Sequence, residues 1–334
     1  MRAMRVFVRP AGRWAALAVL SSTALFFFAA VLAACGGTAR PAPSASAGAA
    51  TTAPATGTPS NAAFPMTVTD SGGHALTLRA PARAIVSHSP GATEILFAIG
   101  AGGQVVAADE FSDFPAAAKA LRRVKYTDPS PEAELALQTD LVILATNQKA
   151  QIETFRGLGL PVFYNREPEG VDGVLDNVRL LGRMTGHTVE AEALATQMRT
   201  RIDAVTARLG DVQQGPKVFY ELSDSLYTAA PNTFIGGMLS TLKARNIALG
   251  AASQFPQLTA EAVIAGAPDV ILLADHDYGG TPPQVRARPG WSAIPAVKND
   301  RMYAVDADVV NRPGPRIVEG IEMMAKLLYP ERFP

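Results

Sequence analysis

The chain has 334 residues with 30 Lys and Arg against 30 Asp and Glu, so no excess of positive charge is available to follow a phosphate backbone and no nucleic-acid partner is expected. Four of the basic residues, Arg2, Arg5, Arg9 and Arg13, fall in the first 34 positions, which hold no acid; the remainder carries 26 basic and 30 acidic side chains. No Gly-x-Ser-x-Gly, Walker or zinc-protease motif occurs, and His74, His187 and His276 lack metal-ligand spacing, so neither an enzyme nor a resident metal or cofactor is expected.

Residues 1–14 are basic, and Ala15 to Ala34 is an uncharged run containing Leu20, Leu25 and Phe26 to Phe28, which reads as an export signal. A run of about 20 apolar residues is long enough to span a bilayer, but this one closes with Leu32-Ala33-Ala34-Cys35-Gly36. That ending resembles the lipobox of bacterial lipoproteins, in which the signal is cut before the cysteine and the thiol is lipidated. Cys35 is the only cysteine, which excludes an internal disulfide or a Cys-based metal cluster from the exported part. Residues 1–34 are therefore expected to be a signal peptide, with the protein anchored by lipid outside the cytoplasmic membrane. Residues 35–63 are rich in Ala, Pro, Ser, Thr and Gly with one charge, Arg40, and are expected to form a disordered tether reaching about 30 Å.

The globular part begins near Phe64, and its two halves share an order of elements. Arg83-Ala-Ile-Val-Ser-His88 predicts a strand, Ser89-Pro90 a capped helix start, and Thr93 to Ile99 a helix. Gly100 to Gly103 reads as the turn that ends it. Lys217 to Leu222 opens the second half in the same way, leading through a polar loop, Ser223 to Thr233, into a helix from Phe234 to Arg245. A closer echo follows in each half. Glu132 stands eight residues before Asp140 and the apolar run Leu141 to Ala145; Glu261 stands eight before Asp269 and the run Val270 to Ala274. Each predicts a short helix, with an acid in its first turn, feeding a buried parallel strand. Between the halves, Val189, Leu194, Met198, Ile202, Val205 and Leu209 predict one long amphipathic helix. The expected architecture is two Rossmann-like α/β lobes, residues 64–186 and 211–334, joined by a helix over 187–210.

This layout resembles the class III solute-binding proteins of ABC importers that take vitamin B12, haem and ferric siderophores. The likeness covers Thr67 to Pro334 and rests on Arg83 to Gly100, Phe111-Ser-Asp-Phe-Pro115 and Pro313-Gly-Pro-Arg-Ile-Val-Glu-Gly-Ile-Glu322. It implies a monomeric binding protein that delivers a small molecule to a permease and its ATPase. Within the class, the vitamin B12 binders are the nearest in pattern, which implies cobalamin or a related corrinoid as ligand, with haem or a ferric siderophore as the alternatives. Position by position the resemblance puts cleft aromatics at Phe111, Tyr126, Tyr227 and Phe255 and a polar pair at Asp308 and Arg312. A cleft tryptophan of that group falls near Ala145, and two other tryptophan places are Tyr126 and Phe255. His88 and Ser89, ending the first strand, are further candidate contacts. Glu132 and Glu261, one per lobe, are implied as the acids that meet arginines of the permease.

Overall fold

The computed structural model describes residues 63–334; the signal, Cys35 and the tether up to residue 62 lie outside the described residues. The described chain opens with a hairpin in which β1 (Met66–Thr69) pairs antiparallel with β2 (Ala75–Leu78). Asp70 closes its turn, accepting from the amides of Gly72 and His74 at 2.9 Å and pairing with Arg156.

The N-terminal lobe follows as β3 (Ile85–His88), α1 (Pro90–Ala98), β4 (Val105–Asp109), β5 (Arg122–Val124), α2 (Pro131–Leu135), β6 (Leu141–Leu144), α3 (Ile152–Gly157) and β7 (Val162–Tyr164). Its strands form a parallel sheet in the order β5-β4-β3-β6-β7. Helices on both faces bury β3, β6 and β7 completely, which is why β6 and β7 read as unbroken apolar runs. Ser89 caps α1 by accepting from the Ala92 amide at 3.3 Å, and Pro90 occupies the first helical position. Gly100, at φ +89°, takes the left-handed conformation that ends this segment.

Two long helices, α4 (Val171–Thr185) and α5 (Thr188–Ala207), carry the chain across. The apolar stripe of α5 differs from the one predicted. Val189 is exposed, and the face starts at Ala191 and Ala195 before running through Met198, Ile202 and Val205. The cause is close packing: a Cβ at Gly182 of α4 would overlap the Ala191 methyl, so only small residues fit this crossing.

The C-terminal lobe comprises β8 (Lys217–Glu221), α6 (Phe234–Thr241), β9 (Arg245–Asn246), α7 (Ala260–Gly266), β10 (Val270–Leu273), α8 (Pro282–Ala287), α9 (Pro295–Lys298), β11 (Met302–Ala304), α10 (Ala307–Val310) and α11 (Ile317–Leu328). Its sheet is parallel in the order β11-β10-β8-β9. Helix α6 stops at Thr241, short of the predicted Arg245, because Lys243 turns left-handed at φ +57° and Arg245 joins the sheet.

The repeated acid pair has a physical meaning. Asp140 accepts from the amides of Arg83 and Ala84 at 2.8 and 2.9 Å, where β3 is about to begin, and Asp269 accepts from the Lys217 amide of β8 at 2.8 Å. Each aspartate thus ties its own strand's entry to the entry of the neighbouring strand. Glu132 and Glu261 occupy the first turns of α2 and α7 and are exposed. The Glu261 backbone amide, with the Thr259 hydroxyl, holds its carboxyl below the ordinary glutamate range.

Beyond α5, two of the places where the lobes touch are at glycines. A Cβ at Gly91 would lie 2.8 Å from the Pro313 carbonyl oxygen, and one at Gly237 would overlap the Glu169 carbonyl. Backbone therefore meets backbone between the lobes at both places, the first of them in the lining of the space between the sheets.

Candidate functional site

Ligands of open parallel sheets bind beyond the carboxyl ends of the strands. A cavity of about 350 Å³ lies there, between the two lobes. The N-terminal lobe lines it with residues that follow four different strands: Ser89 after β3, Tyr126 after β5, Ala145 and Thr146 after β6, and Asn165 to Pro168 after β7. Phe255, Asn311, Arg312 and Pro313 line it from the other lobe.

Tyr126 and Phe255 thus provide an aromatic wall from each lobe. Tyr126 is fixed from two directions: its amide donates to Glu110 at 2.7 Å and its carbonyl accepts from the Gln148 side chain at 2.6 Å. Phe111 packs edge-on against the Tyr126 ring, with centroids 5.5 Å apart, and remains half exposed without lining the cavity. Tyr227 is 43% exposed and outside the lining as well; its backbone bridges to Gln257, two residues beyond Phe255. Ala145 lines the cavity with a single methyl, leaving the wall shallow beside Tyr126.

The polar centre is larger than an acid–arginine pair. Arg312 donates to Asp308 at 2.6 Å and to Asp113 at 2.7 Å, and stands 3.6 Å from Glu94. Arg316 grips Glu94 with two bonds of 2.6 and 3.0 Å and lies over the Phe114 ring, 4.1 Å from its centroid. Glu94, Asp113 and Phe114 belong to the N-terminal lobe and both arginines to the other, so the network crosses the cleft. Burial presses the Asp113 carboxyl upward, but the hydrogen bond and charge of Arg312 outweigh it and hold the group below its usual range. Asp308 serves Arg312 from outside the lining. Neither arginine offers a cation free of protein carboxylates.

The expectation of a ligand-facing His88 is corrected. Its ring is fully buried behind Ser89, bonded through Nε2 to the buried Glu134 at 2.7 Å, with the edge of Phe155 beside it. The strand end turns Ser89 toward the cavity and His88 into the lobe, as alternation along a strand requires. Asn165, Arg166 and Glu167 are lining residues that the sequence reading missed. The signal was available, because they directly follow the apolar triplet Val162 to Tyr164, at the carboxyl end of a buried parallel strand.

Comparison with known proteins bears on the fold and the family. The chain is 30% identical to an ABC transporter substrate-binding lipoprotein of Bacillus subtilis, over 81% of its own length and 87% of the relative's. It is 31% identical to a cobalamin-binding protein of Halobacterium salinarum, over 80% of its own length and 74% of the other's. Among solved structures, the periplasmic vitamin B12 binding protein of Vibrio cholerae superposes with a TM-score of 0.68 at 28% identity, covering 76% of this chain and 99% of that one. A periplasmic haem-binding protein of Roseiflexus superposes with a TM-score of 0.67 at 27% identity, covering 75% and 99%. These relatives are solute-binding proteins, not enzymes. Residues 85–309, which hold both sheets and every lining residue of the cleft except Asn311, Arg312 and Pro313, match the family described as periplasmic binding protein, and the chain belongs to that family as the solute-binding component of an ABC importer.

Proposed function

We propose that the protein captures cobalamin or a related corrinoid, acting as a monomer tethered to the outer face of the cytoplasmic membrane by a lipid on Cys35, and passes it to a permease through Glu132 and Glu261. One observation carries the choice of ligand: the cleft pairs aromatic walls with cations that are already neutralised. Arg312 is met by Asp113, Asp308 and Glu94, and Arg166 pairs with Glu169 at 3.6 Å. A haem with its carboxylates, or an anionic ferric chelate, would have to displace protein acids to gain a counter-ion. A corrinoid offers broad apolar faces for Tyr126 and Phe255 and uncharged amide edges for Ser89, Thr146 and Asn165.

Isothermal calorimetry with cyanocobalamin, haemin and a ferric siderophore, together with absorbance spectra, tests the reading. Saturable one-to-one binding of cyanocobalamin is expected. A shifted Soret band on adding haemin, with no heat from cyanocobalamin, would replace the corrinoid by haem.

A further inference from the structure

One carboxyl in the cleft wall is left unused by this reading. Glu167 follows β7, and its backbone is fixed from two sides: its amide donates to Thr146 Oγ1 at 2.9 Å, and two residues on, the Glu169 carbonyl packs against Gly237 of α6. The residue borders both the main cavity and a smaller one of about 60 Å³ that it shares with Phe255. Among the described residues its carboxyl makes no hydrogen bond and no ion pair. Burial alone pushes it up to about 7.

The charges around it are accounted for. Arg166 and Glu169, on its own loop, pair with each other, and Arg312 across the cavity is engaged by Asp113, Asp308 and Glu94. Tyr126 stands on the same wall, and the buried His88 with Glu134 lies behind Ser89. From the C-terminal lobe, the segments 232–234 and 254–255 bring no titratable side chain to it.

Resting on the capture of a ligand in this cleft, we propose that Glu167 is its specificity-determining hydrogen-bond donor: as a neutral carboxylic acid it bonds a carbonyl or carboxylate oxygen on the ligand's edge, and loss of its proton favours release. A protonated carboxyl supplies a donor, whereas its carboxylate offers only acceptors and would repel such an oxygen. A seated ligand removes the remaining water and disfavours the charged form further. Above the titration range, binding must therefore take up one proton.

The test is calorimetry on the wild type and Glu167→Gln at pH 6 and pH 8, with cyanocobalamin, whose edge oxygens are carboxamides, and with haemin, whose edge oxygens are carboxylates. The ligand that binds identifies the source of the acceptor. Wild-type affinity should be about tenfold weaker at pH 8 than at pH 6, as expected for one proton taken up by a group titrating near 7. The glutamine keeps a donor at every pH and should retain its affinity. His88 is present in both proteins, so any titration there cancels in the comparison. Identical pH profiles for the two proteins overturn the inference alone; absence of binding by either ligand to the wild type at pH 6 overturns the capture reading with it.

A readout without ligand stands beside this one. The carboxyl is raised from 4.5 to about 7 on folding, so the folded chain holds a proton that the unfolded chain has released, and stability falls as pH rises between those values. The thermal midpoint of Glu167→Gln should gain on that of the wild type between pH 5 and pH 8. A constant difference would overturn the proposal.

Discussion

Arg312 of the C-terminal lobe stands 2.7 Å from Asp113 of the N-terminal lobe, so a residue that lines the cleft also ties its two sides together. Its neighbour Arg316 does the same for Glu94, which is nearly fully buried. Replacing Arg316 by methionine leaves Glu94 with only the more distant Arg312, and the cost of a buried carboxylate deprived of its main partner is about 3 kcal/mol. Urea unfolding measures it. A loss near zero would place the pair with solvent-screened surface bridges.

His88→Ala separates a structural histidine from a ligand contact. Removing the ring leaves the buried Glu134 carboxyl without its hydrogen-bond partner, and a loss of about 1–3 kcal/mol in stability is expected. Affinity for the ligand, measured below the unfolding transition, should stay unchanged. A folded variant that loses binding would return His88 to the site.

Tyr126→Ala and Phe255→Ala should each weaken ligand binding by about 1–3 kcal/mol through lost apolar contact. Calorimetry on the single variants gives the values, and circular dichroism confirms folding. Unchanged affinity in both would move the ligand out of this cavity.

Reversing charge at both exposed acids, Glu132→Lys with Glu261→Lys, should leave ligand affinity intact and lower uptake in cells at limiting ligand, because the proposed docking would then set like charges against arginines of the permease. Each single change should give a smaller loss. Normal uptake by the double variant would reduce both residues to solvated helix starts.

Cys35→Ala removes the thiol on which the lipobox reading depends. Cell fractionation should find the variant released into the soluble fraction or retained with its signal uncut, since stable attachment needs the acyl chains. Membrane retention with a cleaved signal would refute the lipid anchor.

The layered α/β fold was legible where burial acts on whole segments. Strands β6 and β10 are covered on both faces and so appear as uninterrupted apolar runs, and the Glu–Asp echo before them marks the start of a helix and the tie between strand entries. Where packing depends on close approach, the signal faded: Ala191 begins the buried face of α5 where Gly182 leaves room for nothing larger, and alanine, there and at Ala195, hardly registers in a hydrophobic pattern. Polar partners across long sequence separations were hidden altogether. Nothing near His88 points to Glu134, 46 residues away, or ties Arg312 to Asp113, 199 residues away. The cleft's residues after β7 could have been found from topology alone, once Val162 to Tyr164 was taken as a parallel strand.

The backbone crossings at Gly91 and Gly237 bear on how such a cleft can be retuned. With main chain seated on main chain at both contacts, neither can take a side chain without prising the halves apart, so the spacing between the lobes is a property of the scaffold. Preference among ligands must then be written in the side chains at positions such as Ala145, Tyr126 and Phe255. A library confined to those three positions would explore new cargoes on an unaltered frame, whereas one that varied the glycines would mostly sample damaged frames.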